Sequence, residues 1–174
     1  MRPVQPAGAR LIYRPGQVES WIKGKTVAVI GDGPSKRKYI FAPDQVITFA
    51  INKAAIFYPS AMAAVVECHF DEIMVQLPPW VPVLFFGSTD IRRYNIGPSL
   101  WTVVVLLSFL AAHAKTIYVQ GVDMSQPKYR EQIPLLSSMA QENRYGEAEK
   151  IICVDNGPLS KIFNSDIPKI EHIC

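Results

Sequence analysis

Residues 25–35 read Lys-Thr-Val-Ala-Val-Ile-Gly-Asp-Gly-Pro-Ser. Lys25 to Gly31 is short, β-branched and nearly all apolar, which predicts a strand covered on both faces. Gly31-Asp32-Gly33-Pro34-Ser35 follows at once. Glycines at that point allow a tight turn and close approach of a ligand to the backbone. If a helix comes next, its free N–H groups face that ligand and favour an anion. Ser35 then caps the helix or bonds a phosphate oxygen, and Lys36, Arg37 and Lys38 add local positive charge. From spacing alone, an ordinary strand-to-helix turn with a solvated basic face competes with this reading, because the full dinucleotide fingerprint is not present.

Similar apolar runs recur on the C-terminal side. Val46–Asn52, Ala63–Phe70, Val81–Gly87, Thr116–Met124 and Lys150–Asn156 each read as a buried strand. Gly97-Pro98-Ser99 opens a long apolar segment that reaches His113. Its length favours a helix, Pro98 suits a first helical turn, and the lack of a polar side predicts burial. Tyr129–Tyr145 reads as an amphipathic helix that Pro134 breaks or delays. Strands alternating with helices predict an α/β fold: a three-layer Rossmann-like domain, with a mainly parallel sheet of about six strands and helices on both faces. Residues 1–24 carry little pattern and read as an arm lying on the domain or reaching a neighbouring subunit, so homo-oligomerisation stays open. Residues 25–174 form the single domain.

Composition narrows the function classes. Eighteen basic against 15 acidic residues leave a formal charge of only +3, too small to argue for nucleic acid or a membrane surface. Cys68, Cys153 and Cys174 have no CxxC spacing, which argues against a metal site or a disulfide framework and for a reduced, cytoplasmic setting. The N-terminus lacks the apolar run of a signal peptide, and Leu100–Ala112 is too short to span a bilayer.

Polar residues cluster at the predicted strand ends: Asn52 with Lys53, His69, Asp123 and Asn156. In an open α/β sheet the carboxyl edge is where ligands bind. One such residue means little, since Asn and Asp favour turns; their recurrence carries the argument. Gly97-Pro98-Ser99 adds a second helix start and a second anion site. His69 and Asp123 are the weak catalytic candidates. His113 reads as a cap or core residue, and Trp21, Trp80 and Trp101 as packing residues.

Taken in order, VAVIGDGPS, FAIN, the Gly-Ser helix start, IYVQGVDMS and DNGPLSKIF resemble the bacterial sialyltransferases of glycosyltransferase family 42. They are equally similar to the 6-hydroxymethylpterin diphosphokinases of the MptE-like group. The resemblance spans roughly residues 25–168. It implies that Gly31, Asp32, Gly33, Ser35 and Asn52 hold the nucleotide part of a donor such as CMP-sialic acid; Pro34 and Lys53, beside them in sequence, are read as binding residues as well. It further implies that Gly97, Pro98 and Ser99 lie beside the donor phosphate or sugar, and that Gly121 and Asp123 close the site at the Gly-Val-Asp strand end.

Three departures qualify the activity. Asp32 stands where the sialyltransferases have Asn, and a carboxylate beside phosphate is repulsive unless a cation compensates. Those enzymes carry a lid with the catalytic His after the corresponding strand, whereas Ser125–Lys150 is short and contains no His. Pro98 also departs from the Gly-rich helix start of the diphosphokinases. The leading expectation is a glycosyltransferase-like protein binding a nucleotide or nucleotide-sugar, with helix N-termini and Lys53 or Arg92 against the leaving phosphate. A diphosphokinase moving pyrophosphate from ATP is the alternative; it requires Mg²⁺, with Asp32 and Asp123 as ligands. A noncatalytic nucleotide-binding or assembly protein is the third reading.

Overall fold

The computed structural model describes residues 10–33, 46–58, 60–94, 101–122, 124, 127–155 and 157–165. In chain order the described strands are β1 (Ile12–Tyr13), β2 (Thr26–Ile30), β3 (Ile47–Ile51), β4 (Met62–Val66), β5 (Val83–Phe86), β6 (Thr116–Gln120), β7 (Ile151–Cys153) and β8 (Asn164–Ser165). The described helices are α1 (Pro15–Ile22), α2 (Phe70–Met74), α3 (Ser88–Tyr94), α4 (Thr102–His113), α5 (Gln132–Glu142) and α6 (Glu147–Lys150). The strands join one sheet in the order β1-β5-β4-β3-β2-β6-β7-β8. Every neighbouring pair runs parallel. The fold is therefore α/β with a parallel sheet, of the Rossmann-like kind.

Six of the strands are those anticipated from the apolar runs. β1 and β8 are two residues long, too short to show a periodicity, and they occupy the two edges. Residues 10–22 join the domain directly. Arg14 N–H donates to Gln17 Oε1 at 2.8 Å, Pro15 takes the first helical position, and Val18 and Ile22 of α1 are fully buried. The Arg10 guanidinium donates to the carbonyls of Leu77, Pro78 and Val81, fixing the loop that enters β5. Trp80 lies in that loop and is 70% exposed, so it departs from the packing role read from sequence. Trp21 and Trp101 do pack against the core.

Alternation along the parallel strands divides the core into two faces. Val27, Val29, Phe49, Leu84, Ile117 and Val119 face α4, together with α1 and α5. Ala50, Ala63, Val65 and Val83 turn the other way, toward Ile73 and Leu77 at α2. From Thr102 to Ala111 every residue of α4 is buried, as its uniformly apolar sequence requires. Pro134 lies in the first turn of α5, where the missing N–H has no intrahelical acceptor to lose, so the helix accommodates it.

His113 ends α4 with Nε2 3.4 Å from Glu19 Oε1 and 3.2 Å from the Tyr94 hydroxyl. Burial lowers its pKa below the ordinary 6.5; Glu19 opposes that shift, while Arg93, Lys150 and Lys23 reinforce it. Burial outweighs the ion pair, so protonation favours the unfolded chain. The contribution of His113 is complete above the unfolded value and is lost as pH falls through the folded one. Urea midpoints should therefore drop between about pH 7.5 and about pH 5.5, and His113→Gln should drop less. An equal drop in both proteins would assign the loss to other groups.

Candidate functional site

Because the strands are parallel, the segments leaving them share one edge of the sheet. Across that edge stand Arg14, Ser88, Glu67, Asn52, Gly31, Gly121 and Asp155. The chain passes from β2 to β3 on one side and later returns to place β6 on the other. The strand order thus reverses between β2 and β6, the position where open α/β sheets form a ligand crevice.

Two glycines fix the floor of this crevice. Gly121 has φ +77°, and a Cβ there would lie 2.6 Å from the Gly31 carbonyl oxygen. A Cβ on Gly31 would in turn run into the Gly121 carbonyl. Gly31 N–H donates to the Gln120 carbonyl at 2.8 Å, and Gly33 N–H to the Gly121 carbonyl at 2.7 Å. The Gly31 and Gly33 amides therefore bind the end of β6, while the residues after Gly33 that were to supply free helix amides lie outside the described residues. The physical need for glycine here is close backbone packing. Asp32 is exposed at the turn.

Asp155 holds the other wall. Its Oδ2 accepts the Gly121 N–H at 2.8 Å and its Oδ1 accepts the Gly157 N–H at 2.9 Å. Sequence reasoning singled out the neighbouring Asn156 and missed Asp155. The signal was present in Asp-Asn-Gly, since an Asp readily bonds the N–H two residues on.

On the β3 side, Asn52 takes the left-handed conformation at φ 51°. Its Oδ1 accepts a hydrogen bond from Thr102 Oγ1 at 3.1 Å, joining the end of β3 to the first residue of α4. Trp101, at the N-cap, is extended and supplies no side-chain cap. The described helix α4 begins at Thr102, and Gly97–Ser99, where a helix start was expected, lie outside the described residues. The start of α4 points its dipole at this corner, a setting that favours an anion. Lys53 is exposed beside it, on the 3₁₀ turn Asn52–Ile56.

The structure thus brings Gly31, Gly33 and Gly121 together and sets Asn52 against α4. His69 stands apart, at the end of β4 with Nδ1 3.9 Å from Glu72 Oε2; β3 separates that strand from β2. Pro34, Ser35, Gly97, Pro98, Ser99, Asp123 and Asn156 lie outside the described residues. Among the described residues no group of three or more His, Cys, Asp or Glu could hold a metal ion. Both Asp155 oxygens accept backbone amides, and Asp32 is exposed at the end of β2. Among the described residues no helix is long and apolar enough to cross a membrane.

The chain matches no protein-family model and no curated protein.

Proposed function

We propose that the chain is a glycosyltransferase-like protein that holds a nucleotide or nucleotide-sugar in the crevice between the ends of β2 and β6. One observation carries this reading: Asn52, in a left-handed conformation, meets the start of α4 beside the point where strand order reverses. A helix N-terminus suits the donor phosphate, and an Asn amide suits a sugar or base. The ordered resemblance to the sialyltransferases points the same way. The described residues between β6 and β7 do not supply a lid base: α5 buries Leu136 and Met139 against the core, and none of these residues is His. The reading is therefore of a nucleotide-sugar site whose transfer chemistry differs from that of the lidded enzymes.

The exposed carboxylate of Asp32 favours a second reading, a diphosphokinase using ATP with Mg²⁺. A thermal-shift screen with CMP, CDP, UDP, GDP and ATP, each with and without Mg²⁺, separates the two. The transferase-like reading expects a metal-independent rise in Tm with a pyrimidine nucleotide. Asp32→Asn should then tighten binding up to a few-fold, since an exposed charge contributes on the order of 0.2–1 kcal/mol. Loss of binding in that variant, or a shift with ATP only when Mg²⁺ is present, would transfer the assignment to the diphosphokinase. No shift with any nucleotide would remove both.

A further inference from the structure

A second cleft opens on the same edge of the sheet, away from the crevice. It has a volume of about 330 Å³ and is lined by Glu67 and Cys68, which leave β4, and by Ser88, Ile91 and Arg92 of α3, which follows β5. Ser88 Oγ donates a hydrogen bond to Glu67 Oε2, tying the two strand ends together and orienting the carboxylate. Its other oxygen is available to a donor. Ile91 is almost fully buried and gives the cleft an apolar wall. Burial pushes the Cys68 thiol up, so that side chain is neutral at physiological pH. Arg92, exposed on α3, supplies the positive charge.

We propose that this cleft binds a small hydroxylated anion of monosaccharide size, such as a sugar acid, as the second substrate of the edge. Three features select that chemistry. A fixed carboxylate accepts from ligand hydroxyls, a guanidinium pairs with a ligand carboxylate or phosphate, and an apolar wall packs the C–H face of a ring. The volume matches the small end of ligand pockets, roughly 300–1,000 Å³. Strands are spaced about 4.8 Å apart, so β4 and β5 stand roughly 10–14 Å from β2. That separation suits two ligands side by side on one edge. The role as second substrate rests on the nucleotide-sugar reading above; the binding pocket does not.

Cys68 supplies a built-in reporter. With Cys174→Ser as background, Cys68 is exposed, whereas Cys153 is buried with its thiol pushed up to about 12 and stays unreactive in the folded protein. The neutral reagent iodoacetamide then alkylates Cys68, and the rate is followed with D-glucuronate or D-glucose present. D-glucuronate at about ten times its Kd should slow the reaction about tenfold, because only unoccupied protein reacts. D-glucose should protect far less. Arg92→Met should remove the difference between the two sugars and Arg92→Lys should keep part of it; Glu67→Gln should weaken protection by both.

Equal protection of the parent and Arg92→Met by D-glucuronate, or no protection at all, overturns the proposal. CMP thermal shifts measured on the same proteins should not change with Glu67→Gln, which alters the cleft alone. Protection by D-glucuronate with no nucleotide shift upholds the pocket and overturns its second-substrate role.

Discussion

Gly121→Ala is expected to destabilise the protein by about 3 kcal/mol, combining about 1–2 for a side chain in the left-handed region with about 1–3 for overpacking. The first contribution follows from φ +77°. The second follows from the Gly31 carbonyl, which would lie 2.6 Å from the new Cβ. That neighbour is backbone, directly after β2 at the centre of the sheet, so it cannot swing aside as a flexible side chain would. For a chain of this size the loss corresponds to a fall in Tm of roughly 6–12 °C. Calorimetric unfolding of the variant checks it. A fall of under about 2 °C would show that β2 and β6 separate easily at their ends, and the rigid floor ascribed to the crevice would have to be abandoned.

Asp155→Ala should cost about 2 kcal/mol. The substitution strips the acceptor from two backbone amides, Gly121 N–H and Gly157 N–H. A donor left without a partner costs about 1–3 kcal/mol when buried, and these are only partly buried, so the lower part of that range applies to each. Asp155→Asn offers a graded comparison. Its single amide oxygen can serve one of the two donors, so it should lose about half as much. Urea unfolding of the three proteins measures the order directly. Equal stability of the parent and Asp155→Ala would mean that water takes over both amides and that the wall is not held by this side chain.

Sequence and structure agree where burial dictates residue type. The strands Thr26–Ile30, Ile47–Ile51 and Thr116–Gln120 are legible because a strand covered on both faces has nowhere to put a polar side chain. Uniform apolarity identifies α4 for the same reason. The edge strands were not legible, because two residues carry no pattern and their pairing depends on distant partners, as in Ile12 with Val83.

The site was legible one strand end at a time. Gly31 and Gly121 each announce a turn, but nothing local says that the two glycines face each other and that the Gly31 and Gly33 amides bind the end of β6. Asn52 is visible as a strand-end polar residue, whereas its partner Thr102 lies 50 residues away. Glu67 and Ser88 form a pair for the same non-local reason, 21 residues apart and joined only because β4 and β5 are neighbours.

The two shortest strands also govern how this sheet meets other molecules. An exposed strand edge is a row of unsatisfied donors and acceptors on which a foreign strand can polymerise. Among the described residues β1 and β8 are the edge strands, and each offers two residues, a short template for an intermolecular ladder. Directly inside β1 lies Val-Leu-Phe-Phe of β5, four consecutive apolar residues of the kind that seeds aggregation once uncovered. The segment Arg10–Ile22 therefore lays a two-residue strand along Val83 and Leu84, so the start of this apolar run is paired within the molecule.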